Sequence, residues 1–527
     1  MKLSAIAFAA AAVFALTSAS AQTLNLASAD SISSLDPQLN QNAGDLSVNL
    51  HFWSLLVGSR DNKIEPALAA SWKLLDPTTW EFKLRDDVKW QDGQPFTADD
   101  VIFSYERARH VPGSSNSYAG YLRTIASLSA KDAHTLIIKT TVPSPDLLLN
   151  LTWVYIVSKH VGENSASADY NNGRAMVGDG PFKFVSYAPG DRVTMVRNES
   201  YWGPKPVWEK VNYRYIADAA SRTAALLAGD VDAIAKVSVS DVAKLKASPK
   251  VSVFEYPGWR VLLLEPSFRH GSSPYITDNE GKPLAENPLL DVRVRRALSL
   301  AIDRRALVDR VLQGGATVAN QWMPAGTFGY NEAVKDIAYD AAQAKKLLAD
   351  AGFPQGFHLT ISVPGDRYPQ ASETAQAIAQ FWTRVGVKTQ VESLPYAVYL
   401  GRANNNEFAV SMLGWGNGTG EAAYAIVNVM ATVDAKKGLG ASNWSRYSNA
   451  TLDAQLDRAT AEMDDAKREA ILRDAVKTVS DDVGILPLFH YKNIWAARKG
   501  LTVRPLISDR TAAVMVSMDK DAVAAQK

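Results

Sequence analysis

The chain has 527 residues, no cysteine, and 56 Lys and Arg against 55 Asp and Glu. That neutrality excludes the basic surface field that a nucleic-acid or anionic-membrane partner requires, which leaves small solutes and other proteins. The absence of cysteine excludes a disulfide scaffold, a thiolate metal site and a lipid anchor attached through cysteine.

Lys2, an apolar stretch over residues 5–16 and then Ala19-Ser20-Ala21 follow the order of a secretory leader: charged start, hydrophobic middle, small-residue cleavage site. The apolar run of roughly 12 residues falls short of the about 20 that a bilayer span needs. A leader over 1–21, cleaved before Gln22, and a freely soluble exported protein are therefore expected. Length allows about three domain-sized units. Pro and Gly are spread through the chain without a low-complexity tract or repeat, which favours compact lobes over separate beads.

Trp80-Glu81-Phe82-Lys83-Leu84-Arg85 alternates with the period of a strand. Asp92-Gly93 marks a turn, and Thr97 with Asp100 predicts a capped helix running to Arg109. From Asp291, apolar residues at Val294, Ala297, Leu298, Ala301, Ile302, Val308, Val311 and Leu312 predict one amphipathic helix with an arginine-rich outer face, ended by Gly314-Gly315. A second helix is expected from Asp340 to Gly352. Phe357, Leu359, Ile361 and Val363 alternate as a strand, residues 371–385 read as a helix, and Val387, Thr389 and Val391 alternate again. Such a unit carries a right-handed crossover between parallel strands. A further strand at 408–413 empties into Gly414-Trp415-Gly416-Asn417-Gly418-Thr419-Gly420. If it joins the same sheet in parallel, its exit loop shares an edge with the loop holding Arg367, and ligands of open α/β sheets bind beyond that edge.

Several blocks in this order resemble the family 5 extracellular solute-binding proteins, the peptide and nickel receptors of ABC importers. They are Pro66-Ala67-Leu68-Ala69-Ala70-Ser71-Trp72, Phe96-Thr97-Ala98-Asp99-Asp100-Val101, Asp179-Gly180-Pro181-Phe182-Lys183, Leu226-Leu227-Ala228-Gly229-Asp230-Val231-Asp232 and Asp291-Val292-Arg293-Val294-Arg295-Arg296-Ala297-Leu298. The resemblance implies an α/β fold of two lobes, the first enlarged, with the ligand cleft between them. It implies lobe I over 22–266 plus 496–527, with an inserted subdomain at about 60–185, and lobe II over 267–495. It also implies a periplasmic, non-catalytic monomer without a cofactor, which hands a small molecule or short peptide to ABC permease subunits in the inner membrane. No Gly-x-x-x-x-Gly-Lys-Ser/Thr motif is present, so the ATPase is expected to be a separate subunit.

Arg367, in Pro364-Gly365-Asp366-Arg367-Tyr368-Pro369, matches in position the arginine with which dipeptide receptors of the family hold a ligand carboxylate, a task suited to a guanidinium fork. The alternatives are a solvated arginine or a partner for Asp366. Gly414-Trp415 matches the family's Gly-Trp pair ahead of the pocket loop, where glycines permit close approach and Trp offers a flat wall, which makes Trp415 and the following Gly416 and Asn417 candidates. Those receptors place an Asp three residues after this Trp for the ligand amine. Here that position is Gly418, and the nearest acid is Glu421, either a longer-reaching substitute or simply the start of a helix. Trp259 and Arg260, near the first hinge crossing, and Asn443 beyond the pocket loop complete the candidates. Oligosaccharides, opines and metal chelates remain alternative solutes. A periplasmic hydrolase lacks support, since no Gly-x-Ser-x-Gly elbow appears and the seven His are scattered. No His-x-x-x-His or Cys cluster points to direct metal binding.

Overall fold

The computed structural model describes residues 22–60 and 63–519. The leader and its cleavage site fall outside the described residues. A single 12-stranded sheet runs through the molecule. Its centre is a pair of long antiparallel strands, Val251–Pro266 and Leu486–Arg498. On one side of the pair lie Ala233–Ile234, Thr23–Ser28, Lys210–Tyr215, Arg192–Arg197 and Phe182–Ala188; on the other lie Val410–Gly416 and Phe357–Pro364. A separate four-stranded antiparallel sheet is built from Ala69–Asp76, Thr79–Leu84, Thr135–Thr140 and Ile125–Asp132.

Both long strands change partners along their length. Val253 and Ile494 pack with the core formed around Leu226, Ile234 and Leu245, whereas Val261 packs around Trp322 and Met430, and Tyr491 around Leu298 and Trp382. Each long strand thus passes from one packed core to another along its length. The pairing register slips between Pro257 and Val261. Such a bulge bends a strand and re-aims its side chains, and Trp259 and Arg260 sit in it.

Local signals set most of the predicted elements. Thr97 and Asp100 form a reciprocal capping box at the start of helix Ala98–Ala108. Asp340 caps Ala341–Asp350 by accepting from Gln343 N. Phe357–Pro364, Ala371–Arg384 and Val387–Leu394 form the expected unit, with the two strands parallel in register. Val410–Gly416 joins Phe357–Pro364 in parallel through Ile361 and Ser362, so the loops after both strands leave from one edge.

The long helix expected after Asp291 is instead broken. It runs over Val292–Leu300, Asp303 caps a new start by accepting from Ala306 N, and the last turn, Leu307–Val311, is wide. Nor do all its arginines face outward. Arg295 and Arg304 are buried, Arg295 donating to the carbonyls of Leu289, Leu290, Asp482 and Val483, and Arg304 to those of Pro487 and Ser299. Each guanidinium replaces its lost water with main-chain acceptors, which makes burial tolerable. Among the described residues no helix is long and apolar enough to cross a membrane.

Candidate functional site

Where the bulge, the two parallel-strand exit loops and the carboxyl-terminal segment converge, a cleft of about 1200 Å³ opens. It exceeds the about 300–1,000 Å³ of most small-molecule sites. One wall carries Tyr121, Trp153 and Lys236, the opposite wall Arg367, Tyr396 and Trp415, and Trp259 and Arg260 lie at the hinge.

The loop of Arg367 is pinned at each side. Gly365 N donates to Leu394 O at 2.9 Å, and Asp366 accepts from Tyr396 N at 2.8 Å. Asp366 is thereby occupied by main chain, and Arg367 makes no ion pair with it. The Arg367 guanidinium lies 5.0 Å from the Tyr396 ring and is exposed to the cleft. Tyr368 packs over the next strand's exit, where a Cβ on Gly414 would come within 2.5 Å of its ring. Glycine is thus what lets the two loops meet. The Tyr491 hydroxyl donates to Pro369 O at 2.8 Å, tying this loop to the hinge.

Arg260 donates from Nη1 to Gly414 O at 3.3 Å, and Gly416 lies beneath its guanidinium. Trp415 packs on Tyr424 with ring centroids 5.4 Å apart. Trp153 stacks on Tyr121 at 5.4 Å and on Trp259 at 6.4 Å, with the Arg510 guanidinium 4.3 Å from its ring. Lys236 bridges Asp30 at 2.8 Å and Asp509 at 3.2 Å. Burial alone raises the Asp509 pKa, but Lys236, Arg260 and Arg510 outweigh it and hold the carboxyl below its usual range.

Of the residues singled out in the sequence, Arg367, Tyr368, Trp415, Gly416, Trp259 and Arg260 line this cleft. Three others do not. Glu421 is 4 % exposed and ion-paired with the equally buried Arg468 at 2.6 Å. Burial raises its pKa and Arg468 opposes the shift. It begins helix Ala422–Ala425, as one of the two sequence readings had it, and points away from solute. Asn443 is a buried turn-former, its amide donating to Ala431 O and Tyr447 O and accepting from Ser445 and Tyr447 N. Asn417 is buried behind the loop, its main-chain N–H directed at Trp259 O. Position 418 cannot carry an acid here, because a Cβ on Gly418 would come within 2.6 Å of the Trp153 ring. Sequence reasoning passed over Trp153, Lys236, Asp509 and Arg510. Nothing local marks them, since the chain brings them together from segments hundreds of residues apart.

A two-lobed α/β scaffold with an aromatic and cationic cleft at a two-strand hinge defines a solute-binding protein. Residues 63–437 match the family model of bacterial extracellular solute-binding proteins, family 5, and the chain belongs to that family. It is 30 % identical over 457 residues to heme-binding protein A of Haemophilus influenzae, covering 82 % of this chain and 80 % of that one. It is 28 % identical over 475 residues to the dipeptide-binding protein of Escherichia coli, covering 84 % of each. The structure of HbpA2 from Haemophilus parasuis superposes with a TM-score of 0.81 at 26 % identity, over 94 % of this chain and all of that one. Members of this family bind solutes and are not catalysts.

Proposed function

We propose that this protein is the periplasmic binding component of an ABC importer, and that it captures a peptide or peptide-like solute between its lobes for delivery to a membrane permease. The observation that carries the reading is Arg367. It stands at the carboxyl end of a parallel strand, open to the cleft, with no carboxylate paired to it among the described residues. A planar guanidinium so placed binds a solute carboxylate in a bidentate grip. Flanking aromatic rings supply apolar walls that do not read one particular side chain.

The lobes proposed are 22–266 with 496–527, and 267–495. The change of core partners between residues 256 and 261, and again between 491 and 494, supports crossings a few residues before those limits. Solute contacts to both lobes form fully only on closure, so binding shifts the population toward the closed state by its differential affinity. Haem, which the name of one relative suggests, fits less well. The cleft lining has no His, Met or Cys, which leaves only its tyrosines as axial ligands for haem iron, whereas its three guanidiniums suit carboxylates directly.

Small-angle scattering with and without solute tests this reading. A fall in the radius of gyration with one solute per chain is expected. Tight binding with an unchanged curve would contradict closure. Amino-terminal sequencing of periplasmic protein, expected to begin at Gln22, tests export.

A further inference from the structure

Five basic side chains line the cleft, Lys236, Arg260, Arg367, Lys492 and Arg510, against only two acidic ones, Asp30 and Asp509. Both acids share the single ammonium of Lys236, and Lys492 pairs with Glu255. Among the described residues, no carboxylate lies within ion-pair distance of Arg260, Arg367 or Arg510. Glu421, the remaining acid near the pocket loop, is taken by Arg468, and the Trp153 ring fills the space beside Gly418. The cleft thus offers a solute three guanidiniums without an ion pair among the described residues, Arg260 and Arg510 sharing the field of one nearby carboxylate, Asp509, which Lys236 already bridges.

The three are not grouped together. Arg367 stands on the loop after Phe357–Pro364, across Tyr368 from the hinge. Arg260 and Arg510 border the stacked Trp153 and Trp259 at the hinge end, Arg510 directly on the Trp153 ring. Arg260 is steadied by Gly414 O and Arg510 by that ring, and the single carboxylate near both, Asp509, is bridged by Lys236, so the hinge end keeps an excess of positive charge. Partly shielded cations of one sign in a concave site raise the local concentration of anions and reject cations.

Resting on the peptide-like reading above, we infer that the solute carries at least two acidic groups, one held by Arg367 and a second by Arg510 with Arg260, and that a free amino group contributes nothing to its affinity. The solute class is an acidic peptide or peptide-like dianion, with the spacer between its acids lying along the aromatic wall. Arg510 is then the residue that separates acidic from neutral peptides.

Calorimetric titration of the mature protein, freed of carried-over solute by unfolding and refolding, tests this with three probes: Ala-Ala, Ala-Glu and N-acetyl-Ala-Glu. Ala-Glu should bind roughly tenfold or more tighter than Ala-Ala, the order expected of one charge-assisted contact, and acetylation should not weaken it. Arg510→Gln should remove most of the difference between Ala-Glu and Ala-Ala, the ratio of the two affinities being the quantity read. Arg260→Gln should act in the same direction, and Arg510→Lys, which keeps the charge and guards against misfolding, should restore part of the preference. Equal affinity for Ala-Ala and Ala-Glu, or a preference insensitive to Arg510→Gln and Arg260→Gln, would overturn the inference and leave the peptide-receptor reading standing. Loss of binding on acetylation would overturn the claim about the amine. Failure of all three probes would overturn both readings.

Discussion

Truncating Arg367 to Ala separates a ligand anchor from a scaffold residue, because the two roles predict opposite changes in stability and affinity. In the unliganded protein its side chain lies over the Tyr396 ring at 5.0 Å and has no ion pair among the described residues. A cation over a ring at an exposed site contributes only about 0.5–1 kcal/mol, so the melting temperature should move by no more than about two degrees in a chain this long. In the complex the guanidinium would make hydrogen bonds to a carboxylate, and bonds to charged groups contribute about 1.5–3 kcal/mol. If the lobes close over the pair, stranding the anion costs about 2–5 kcal/mol. The expected loss is therefore about ten-fold to several-thousand-fold in Kd. Arg367→Lys should recover only part of it, since an ammonium cannot reproduce two parallel bonds. Isothermal titration beside differential scanning calorimetry reads both quantities. Wild-type affinity in Arg367→Ala, or a collapse in its melting temperature, would refute the assignment.

Glu421→Gln should do the reverse. Breaking the buried pair with Arg468 costs about 3–5 kcal/mol of stability, while peptide affinity stays at the wild-type value; a large affinity loss without destabilisation would mean that Glu421 reaches solute. Glu265 is fully buried, opposed only by a hydrogen bond from Ser411 at 3.3 Å, and its pKa is pushed up to about 8 from 4.5. The folded state thus keeps a proton that the unfolded chain releases near pH 4.5, so this residue's contribution is most favourable below that pH and is lost as pH rises toward 8. Glu265→Gln should accordingly match the wild type at pH 4 and exceed it by up to about 4 kcal/mol at pH 7.5 in chemical denaturation. A constant difference across that range would contradict the sign.

Elements governed by neighbouring residues were legible in the sequence. Asp340 and the Thr97 and Asp100 pair announced their helices because a cap is a contact over two or three residues. The parallel pairing of Phe357–Pro364 with Val387–Leu394 followed from strand and crossover periodicity, whereas the joining of Val410–Gly416 to the same sheet, which sets Arg367 and Trp415 on one edge, was legible only as a condition. Long-range contacts were not legible. Arg295 and Arg304 read as an outer face, because the carbonyls that satisfy them at Asp482, Val483 and Pro487 arrive from nearly 200 residues away. Glu421 read as a possible amine partner because Arg468, which claims it, lies 47 residues on in another helix. The hinge end of the cleft was invisible for the same reason. Trp153, Lys236 and Arg510 acquire a role only when three distant segments fold against one bulge.

Capture of a carboxylate-bearing solute in a closing cleft is tested most directly by identifying what the protein carries. Protein purified from the periplasm without added solute should be denatured, and the released small molecules analysed by mass spectrometry against a buffer control. About one equivalent per chain of a peptide-like compound with free carboxylates is predicted. A neutral oligosaccharide in that amount would contradict it.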